Sequence, residues 1–209
     1  MARPTSGTDL KLMAAGRRLM QEKGITGLSV REACRLAGAN TGMFHYYFGS
    51  KDEFIKTILK EMYSEFMIKL RTETAVDGGP AEKLRAALET VGKFARGMRH
   101  VAPMLIADLA YGKKEAFSFL SGNFTEHLKY IAALAAECRP RSALKNHSIP
   151  YIVGTLLPIM VFPVIMGGIM ERNGVKKMGG APMDELMEEF LSDEGIAQRA
   201  EIAIRGIGL

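Results

Sequence analysis

The stretch Thr41-Gly42-Met43-Phe44-His45-Tyr46-Tyr47-Phe48-Gly49-Ser50-Lys51-Asp52-Glu53-Phe54 decides how this 209-residue chain is read. Asn40 or Thr41 can accept a hydrogen bond from the free N–H groups that open a helix, and Gly49 breaks that helix after about two turns. Ser50 followed three residues later by Glu53 has the capping-box spacing, so a second helix opens at Lys51. It is a long one. Phe54, Ile58, Met62 and Phe66 recur at helical spacing and carry it to about Thr74. In the short helix, Phe44 and Phe48 look inward as core, and His45 and Tyr46 lie on the exposed side.

Upstream of this stretch the pattern is also helical. Leu10, Met13, Ala14, Arg17 and Leu19-Met20 predict a first helix from about Thr8 to Lys23, stopped by Gly24, with Thr8 and Asp9 at its positive end. Ser29-Val30-Arg31-Glu32 is another capping-box pattern, opening a helix from Val30 to about Ala37 that Gly38 can end in the left-handed conformation. Val30, Ala33, Cys34 and Ala37 form its inner face, and Arg31 and Arg35 project outward. Three short helices with a tight, small-residue turn between the second and third make a helix-turn-helix. Its third helix would enter a major groove.

These residues resemble the DNA-binding domain of the tetracycline-repressor (TetR-like) family of bacterial transcription regulators. The resemblance covers roughly residues 8 to 55, about a quarter of the chain. It is carried by Gly24, Leu28-Ser29-Val30, Ala33, Gly38 and above all the run from Thr41 to Phe54. The resemblance implies an all-α protein with a helix-turn-helix domain over residues 1–55, a connecting helix to about 74, and a helical ligand-binding and dimerisation domain over 75–209. It further implies a homodimer joined through its last two long helices.

The residue types suit contacts with double-stranded DNA. The Thr41 hydroxyl can bond a base edge or a phosphate, Gly42 lets the backbone approach the groove, and Met43 can touch a thymine methyl. His45 can donate to base or phosphate. The Tyr46 ring can pack on bases while its hydroxyl bonds phosphate, and Tyr47 assists at the phosphate. Lys51 adds its charge to a helix N-terminus, which already favours an anion. Ser29 and Arg31 hold the opposite strand, and Arg3 reaches a minor groove as an arm.

Charge is distributed in agreement with this. The net charge of +5 lies entirely in residues 1–60, which hold ten Lys and Arg against five Asp and Glu, while the remainder is balanced. A local basic excess favours a polyanion without saying which one. Cys34 and Cys138 are too few for a disulfide framework and lack zinc spacing, so both are read as reduced, buried thiols. With no signal-peptide stretch in its first twenty residues, the chain is expected in the cytoplasm.

Beyond Asp77-Gly78-Gly79-Pro80, the best candidate boundary, helices are expected at about 81–98, 101–111, 115–138, 147–172 and 183–206. The twenty-two residues from Ile149 to Met170 carry no charge and are long enough to span a membrane. A membrane-associated adaptor anchored by 149–170 is therefore the alternative reading. Pro150, Pro158 and Pro163 with Gly154, Gly167 and Gly168 make a poor spanning helix, and a helix buried in a dimer core lacks charge for the same reason. In the family reading, Pro158 and Pro163 kink this helix.

The resemblance places an effector pocket in the C-terminal domain. Met98, Met104, Phe117, Phe124, Tyr130 and Tyr151 are candidates for its walls, and Asp108, Tyr111, His127 and Thr155 for its polar groups, a set suited to a small apolar ligand. No metal, cofactor or catalytic residue is expected. Nucleophile-elbow, zinc-protease and phosphate-loop motifs are missing, and Gly112-Lys113-Lys114 lacks the glycine spacing to cradle phosphate. The sequence therefore points to a sequence-specific regulator, a repressor released from a pseudo-palindromic operator by its ligand.

Overall fold

Gly24 stands at φ 71° and ψ −178° inside α1 (Thr8–Gly27), so the continuous helix expected to end there does turn aside at that residue before one further helical turn. A left-handed φ costs glycine nothing, whereas it strains any residue with a Cβ. The computed structural model describes residues 7–141, 143 and 145–209, without the side chains of 115 and 141; Arg3 lies outside the described residues. Among them are eleven α-helices, and the chain is all-α as expected apart from one very small hairpin.

Contacts divide the chain into two compact units, residues 1–64 and 65–209. The division falls within α4 (Lys51–Glu73), while the Gly-Gly-Pro turn at 78–80 lies inside the second unit. The first unit holds α1, α2 (Val30–Ala37), α3 (Thr41–Phe48) and the opening turns of α4. Its core is Leu12, Leu19, Met20, Leu28, Ala33, Phe44, Phe54 and Ile58, all nearly or fully buried. Gly16 is required here by space: a Cβ would meet the Phe54 ring and come within 2.7 Å of Ile58 Cδ1.

The second unit is built around α5 (Pro80–Met98), which packs against α8 (Glu126–Cys138), α9 (Ile149–Arg172) and α11 (Asp193–Gly206). Pro80 occupies the first turn of α5, where its missing N–H is no loss, and the Glu82 carboxylate accepts from the Gly79 N–H. Gly92 lets the three helices meet, since a Cβ would lie 2.7 Å from Ile196 of α11 and 3.0 Å from Met160 of α9. Leu84, Leu88, Ile131, Leu156, Met160, Val164 and Ile196 are among its fully buried apolar residues.

Two long helices expected from periodicity are each broken. The 115–138 segment divides into α7 (Lys114–Asn123) and α8, because the Asn123 side chain turns back to donate to the Phe119 carbonyl at 2.7 Å and closes α7. The 183–206 segment divides into α10 (Met183–Leu191) and α11 at Ser192, whose Oγ accepts from the Gly195 N–H at 3.0 Å. Arg96 and Arg199 donate to the carbonyls of Leu191 (2.6 Å) and Phe190 (2.9 Å), supplying partners for the end of α10.

Between α9 and α10 lies the small antiparallel hairpin, Lys177–Met178 paired with Ala181–Pro182. Gly179 and Gly180 both have positive φ, as a tight two-residue turn of that hand requires.

Helix α9 runs unbroken through Pro158 and Pro163. Pro158 withholds an N–H from the Gly154 carbonyl, and Gly154 is exposed, so water can serve that oxygen. By length and composition α9 is the one described helix able to cross a membrane, yet a little under half of its most apolar stretch is buried inside the chain. It contacts five helices of this unit, α5, α6 (Ala102–Ala110), α8, α10 and α11. Gly168 permits the closest approach, against the backbone of Arg99. The opposite face of α9, through Tyr151, Thr155, Pro158 and Phe162, is exposed.

Candidate nucleic-acid interface

Helix α3 presents its faces as an amphipathic helix must, but with aromatic residues on both sides. Phe44 is fully buried and meets Phe54 edge-on at 5.0 Å, and Phe48 lies 4.6 Å from the same ring. This aromatic cluster fixes the rotation of α3 about its axis. The exposed face is then Thr41, Gly42, His45 and Tyr46, spaced one and four residues apart. Tyr46 is 63% exposed, large for an aromatic residue, and meets Tyr47 in a T-shaped contact at 5.2 Å. Met43 and Tyr47 are half-buried at the margins of that face.

The ends of the helices are closed by the predicted cap residues. At α3, Asn40 rather than Thr41 is the cap: its Oδ1 accepts from the Met43 N–H at 2.8 Å. A Cβ at Gly42 would sit 3.2 Å from that same Oδ1, so the glycine also protects the cap. The Thr41 hydroxyl is consequently left for other partners. At the far end the His45 ring bonds the Gly49 carbonyl through Nδ1 at 2.8 Å.

Ser29 caps α2 by accepting from the Glu32 N–H at 3.4 Å, and Ser50 caps α4 by accepting from the Glu53 N–H at 3.1 Å. Neither capping box closes reciprocally. Glu32 instead accepts from Lys23 at 2.8 Å and has Arg35 at 4.0 Å, while Glu53 accepts from Lys56 at 2.7 Å. The Lys23 ammonium holds the Glu32 carboxyl below its ordinary range, and Lys56 does the same for Glu53. Glu32 and Glu53 are thus each neutralised by a neighbour. Arg31 is exposed and unpaired among the described residues, beside Ser29 and Arg35 in a shallow depression at the start of α2. Lys51 is half-buried at the first turn of α4. The capped N-termini of α2, α3 and α4 offer backbone N–H groups, and the side chains around them carry net positive charge.

The candidate effector residues are distributed differently. Met98 is buried in α5, and Met104, Asp108, Phe124, His127 and Tyr130 are half-buried. Tyr111, Phe117 and Tyr151 are 86%, 65% and 53% exposed, and Thr155 is exposed and donates to the Tyr151 carbonyl. These four therefore do not line an enclosed pocket within the chain, because periodicity places a residue on a helix face without saying whether a neighbour covers it. Asp108 is ion-paired with Lys113, and Phe124 packs on Phe119 at 5.5 Å.

His127 and Tyr130 belong instead to a cluster closing the end of α4 on α8. Phe66 stacks on Phe94 at 4.2 Å and meets the His127 ring edge-on at 5.6 Å. Burial pushes His127 down to about 4, so it is neutral at pH 7. Arg71 pairs with Glu126, and Thr74 bonds Tyr130. Arg71, Thr74 and Phe94 were missed by sequence reasoning, since their partners lie more than twenty-five residues away. No group of three or more His, Cys, Asp or Glu capable of holding a metal occurs among the described residues.

A helix-turn-helix unit with basic, capped helix starts is followed along the chain by a larger all-helical unit. Residues 12–58 match the model of the bacterial regulatory proteins of the tetR family, and the chain as a whole has the fold of TetR-family transcriptional regulators. A transcriptional regulator from Rhodococcus sp. Rha1 is similar at a TM-score of 0.64 and 19% identity, over 96% of this chain and 98% of that one. The fatty acid degradation regulator FadR from Bacillus halodurans is similar at 0.69 and 13% identity, over 99% of both chains. A TetR-family regulator from Streptomyces coelicolor is similar at 0.69 and 11%, over 98% of this chain and 91% of that one. No curated protein matches the sequence.

Proposed function

We propose that the chain is a homodimeric repressor that binds a pseudo-palindromic operator with two copies of α3 in successive major grooves. The observation that carries this reading is the exposed Thr41-Gly42-His45-Tyr46 face, held in place by the Phe44–Phe54 contact. Thr41, Gly42, Met43 and Tyr46 read base edges, and His45 and Tyr47 contact the sugar-phosphate wall. Ser29, Arg31 and Lys51 hold the backbone from the starts of α2 and α4. Residues 1–55 serve as the DNA-binding domain, with α4 connecting to a ligand-binding and dimerisation domain over 75–209.

Dimerisation uses α9 and α11. Phe162 on α9 and Ile202 on α11 are each 63% exposed, and Tyr151 and Pro158 extend the apolar stripe on α9. A stripe of this kind supports burial against a second copy. The packing of α9 within its unit supports the same reading over the membrane-anchored adaptor. The protein acts in the cytoplasm and performs no catalysis.

A small apolar effector binds among α5 to α9, drawing on Met98, Met104, Phe124, His127 and Tyr130, with Asp108, Tyr111, Phe117, Tyr151 and Thr155 as outer candidates. The apolar chemistry accords with the similarity to the fatty acid degradation regulator of Bacillus halodurans. Release follows only if the effector prefers the conformation whose reading heads no longer match the operator. Selection of bound sequences from random duplex DNA by the purified chain tests the reading. Recovery of an inverted repeat is the expected result, and recovery of sequences without inverted symmetry overturns it.

A further inference from the structure

We infer that His45 contacts a DNA phosphate only in its protonated form, so that operator binding by this chain strengthens on acidification. The inference rests on the DNA-binding reading of α3 and adds the charge state in which one of its residues works.

The argument begins at the Gly49 carbonyl. Its oxygen lies 2.8 Å from His45 Nδ1, and a carbonyl oxygen only accepts, so Nδ1 carries the proton. In the neutral ring Nε2 is then a bare acceptor. Phosphate oxygens in DNA are acceptors too. Neutral His45 would therefore meet a phosphate lone pair against lone pair, whereas the imidazolium donates a charge-assisted bond from Nε2. Protonation leaves the Gly49 bond intact, because Nδ1 donates in both forms.

The tie to Gly49 selects the phosphate over a base. His45 lies in the second turn of α3, and its ring is tied back to the C-terminal end by Gly49. It is exposed, with the Phe44 ring edge-on at 5.4 Å as its aromatic neighbour.

The elements packed on α3 are α1, α2 and the start of α4, and three of their acids are ion-paired: Glu22 with Arg18, Glu32 with Lys23 and Arg35, Glu53 with Lys56. Asp9, Lys11 and Arg17 on α1, Arg31 on α2, and Lys51 and Asp52 on α4 complete the charged groups nearby, with Tyr46 and Tyr47 on α3 itself. Among the described residues none forms an ion pair with His45. The phosphate would be its counter-charge. Binding then favours the protonated ring, so affinity is added as pH falls.

Anisotropy titrations of the full-length chain with its selected operator, at about pH 8 and about pH 6 across a salt series, test this. The proteins compared are the natural one, His45→Gln and His45→Tyr, whose donors do not titrate in this range. The natural protein should bind at least about fivefold more tightly at the lower pH. Its salt slope should steepen by about one per bound α3. Both variants should lack that gain while keeping native helical circular dichroism. A natural protein with the same pH response as His45→Gln overturns the inference. So does weaker binding on acidification that His45→Gln abolishes, which would mean that Nε2 accepts from a base amino group. Failure of all three proteins to bind any duplex at either pH instead removes the DNA-binding reading itself. Nitrogen-15 imidazole shifts give an independent readout: Nε2 of His45 should gain a proton when operator is added at about pH 7.

Discussion

The hydroxyl oxygens of Thr74 and Tyr130 lie 2.6 Å apart, joining the residue just past α4 to the second turn of α8. Thr74 Oγ1 also lies 2.7 Å from the Leu70 carbonyl, which can only accept, so the threonine proton is used there and the tyrosine is the donor to Thr74. Tyr130→Phe removes the donor and leaves Thr74 satisfied. It should cost about 1 kcal/mol. Thr74→Val strands the half-buried tyrosine hydroxyl and should cost somewhat more, about 1–2 kcal/mol. Urea denaturation of both single variants and the double variant gives the coupling, and strict additivity would mean the bond contributes nothing.

His127 makes stability depend on pH. Its pKa is about 4 in the folded chain, through burial, against an ordinary 6.5. The unfolded chain therefore takes up a proton that the folded chain refuses. Stability is full above about pH 6.5 and is lost as pH falls toward 4, by up to roughly 3 kcal/mol. Thermal melts at pH 7 and pH 5 should differ less in His127→Phe than in the natural protein, and equal differences would assign the loss elsewhere.

Gly168 permits α9 to lie against the backbone of the residue following α5. A Cβ there would collide with the Arg99 carbonyl oxygen and lie 3.0 Å from its carbon. Backbone cannot swing aside as a side-chain terminus can. Gly168→Ala should destabilise by about 2–3 kcal/mol despite the better helix propensity of alanine. A variant as stable as the natural chain in urea would show that α9 can shift at no cost.

Two residues of the reading face separate specific from general affinity. Tyr46→Ala should weaken the selected operator by about 1–3 kcal/mol and unrelated duplexes much less. Lys51→Ala should weaken both alike and reduce the salt slope by about one. Competition binding at several salt concentrations distinguishes these patterns, and their reversal would exchange the assigned roles.

Ile202 tests the second copy. Ile202→Glu places charge in the proposed interface, and sedimentation should then find monomer where the natural protein is a dimer. A dimer that survives the substitution would locate the interface away from this part of α11.

The sequence alone determined the local grammar of the first unit. Ser29, Ser50 and the Asn40–Thr41 pair signalled helix starts, Gly24, Gly38 and Gly49 signalled ends, and Phe44 against His45 and Tyr46 separated core from surface. Each of these is a relation between residues at most four apart, where backbone hydrogen bonding and helical geometry act, so a linear pattern records them. The all-α class follows from the same periodicity.

Only the tertiary structure decided what depends on distant partners. Ser192 ends one helix and starts another because Arg96, nearly a hundred residues earlier, and Arg199 supply donors to the carbonyls left open there. Glu32 fits a capping box on paper, yet Lys23, nine residues earlier, competes for its carboxylate and wins it. Tyr151 is expected as a wall of a pocket, and Tyr111 and His127 as two of its polar groups. The first two stand exposed, and the third is held neutral against Phe66. Apolar character says that a side chain gains from leaving water; which surface receives it is set by the packing of helices whose contacts span tens of residues.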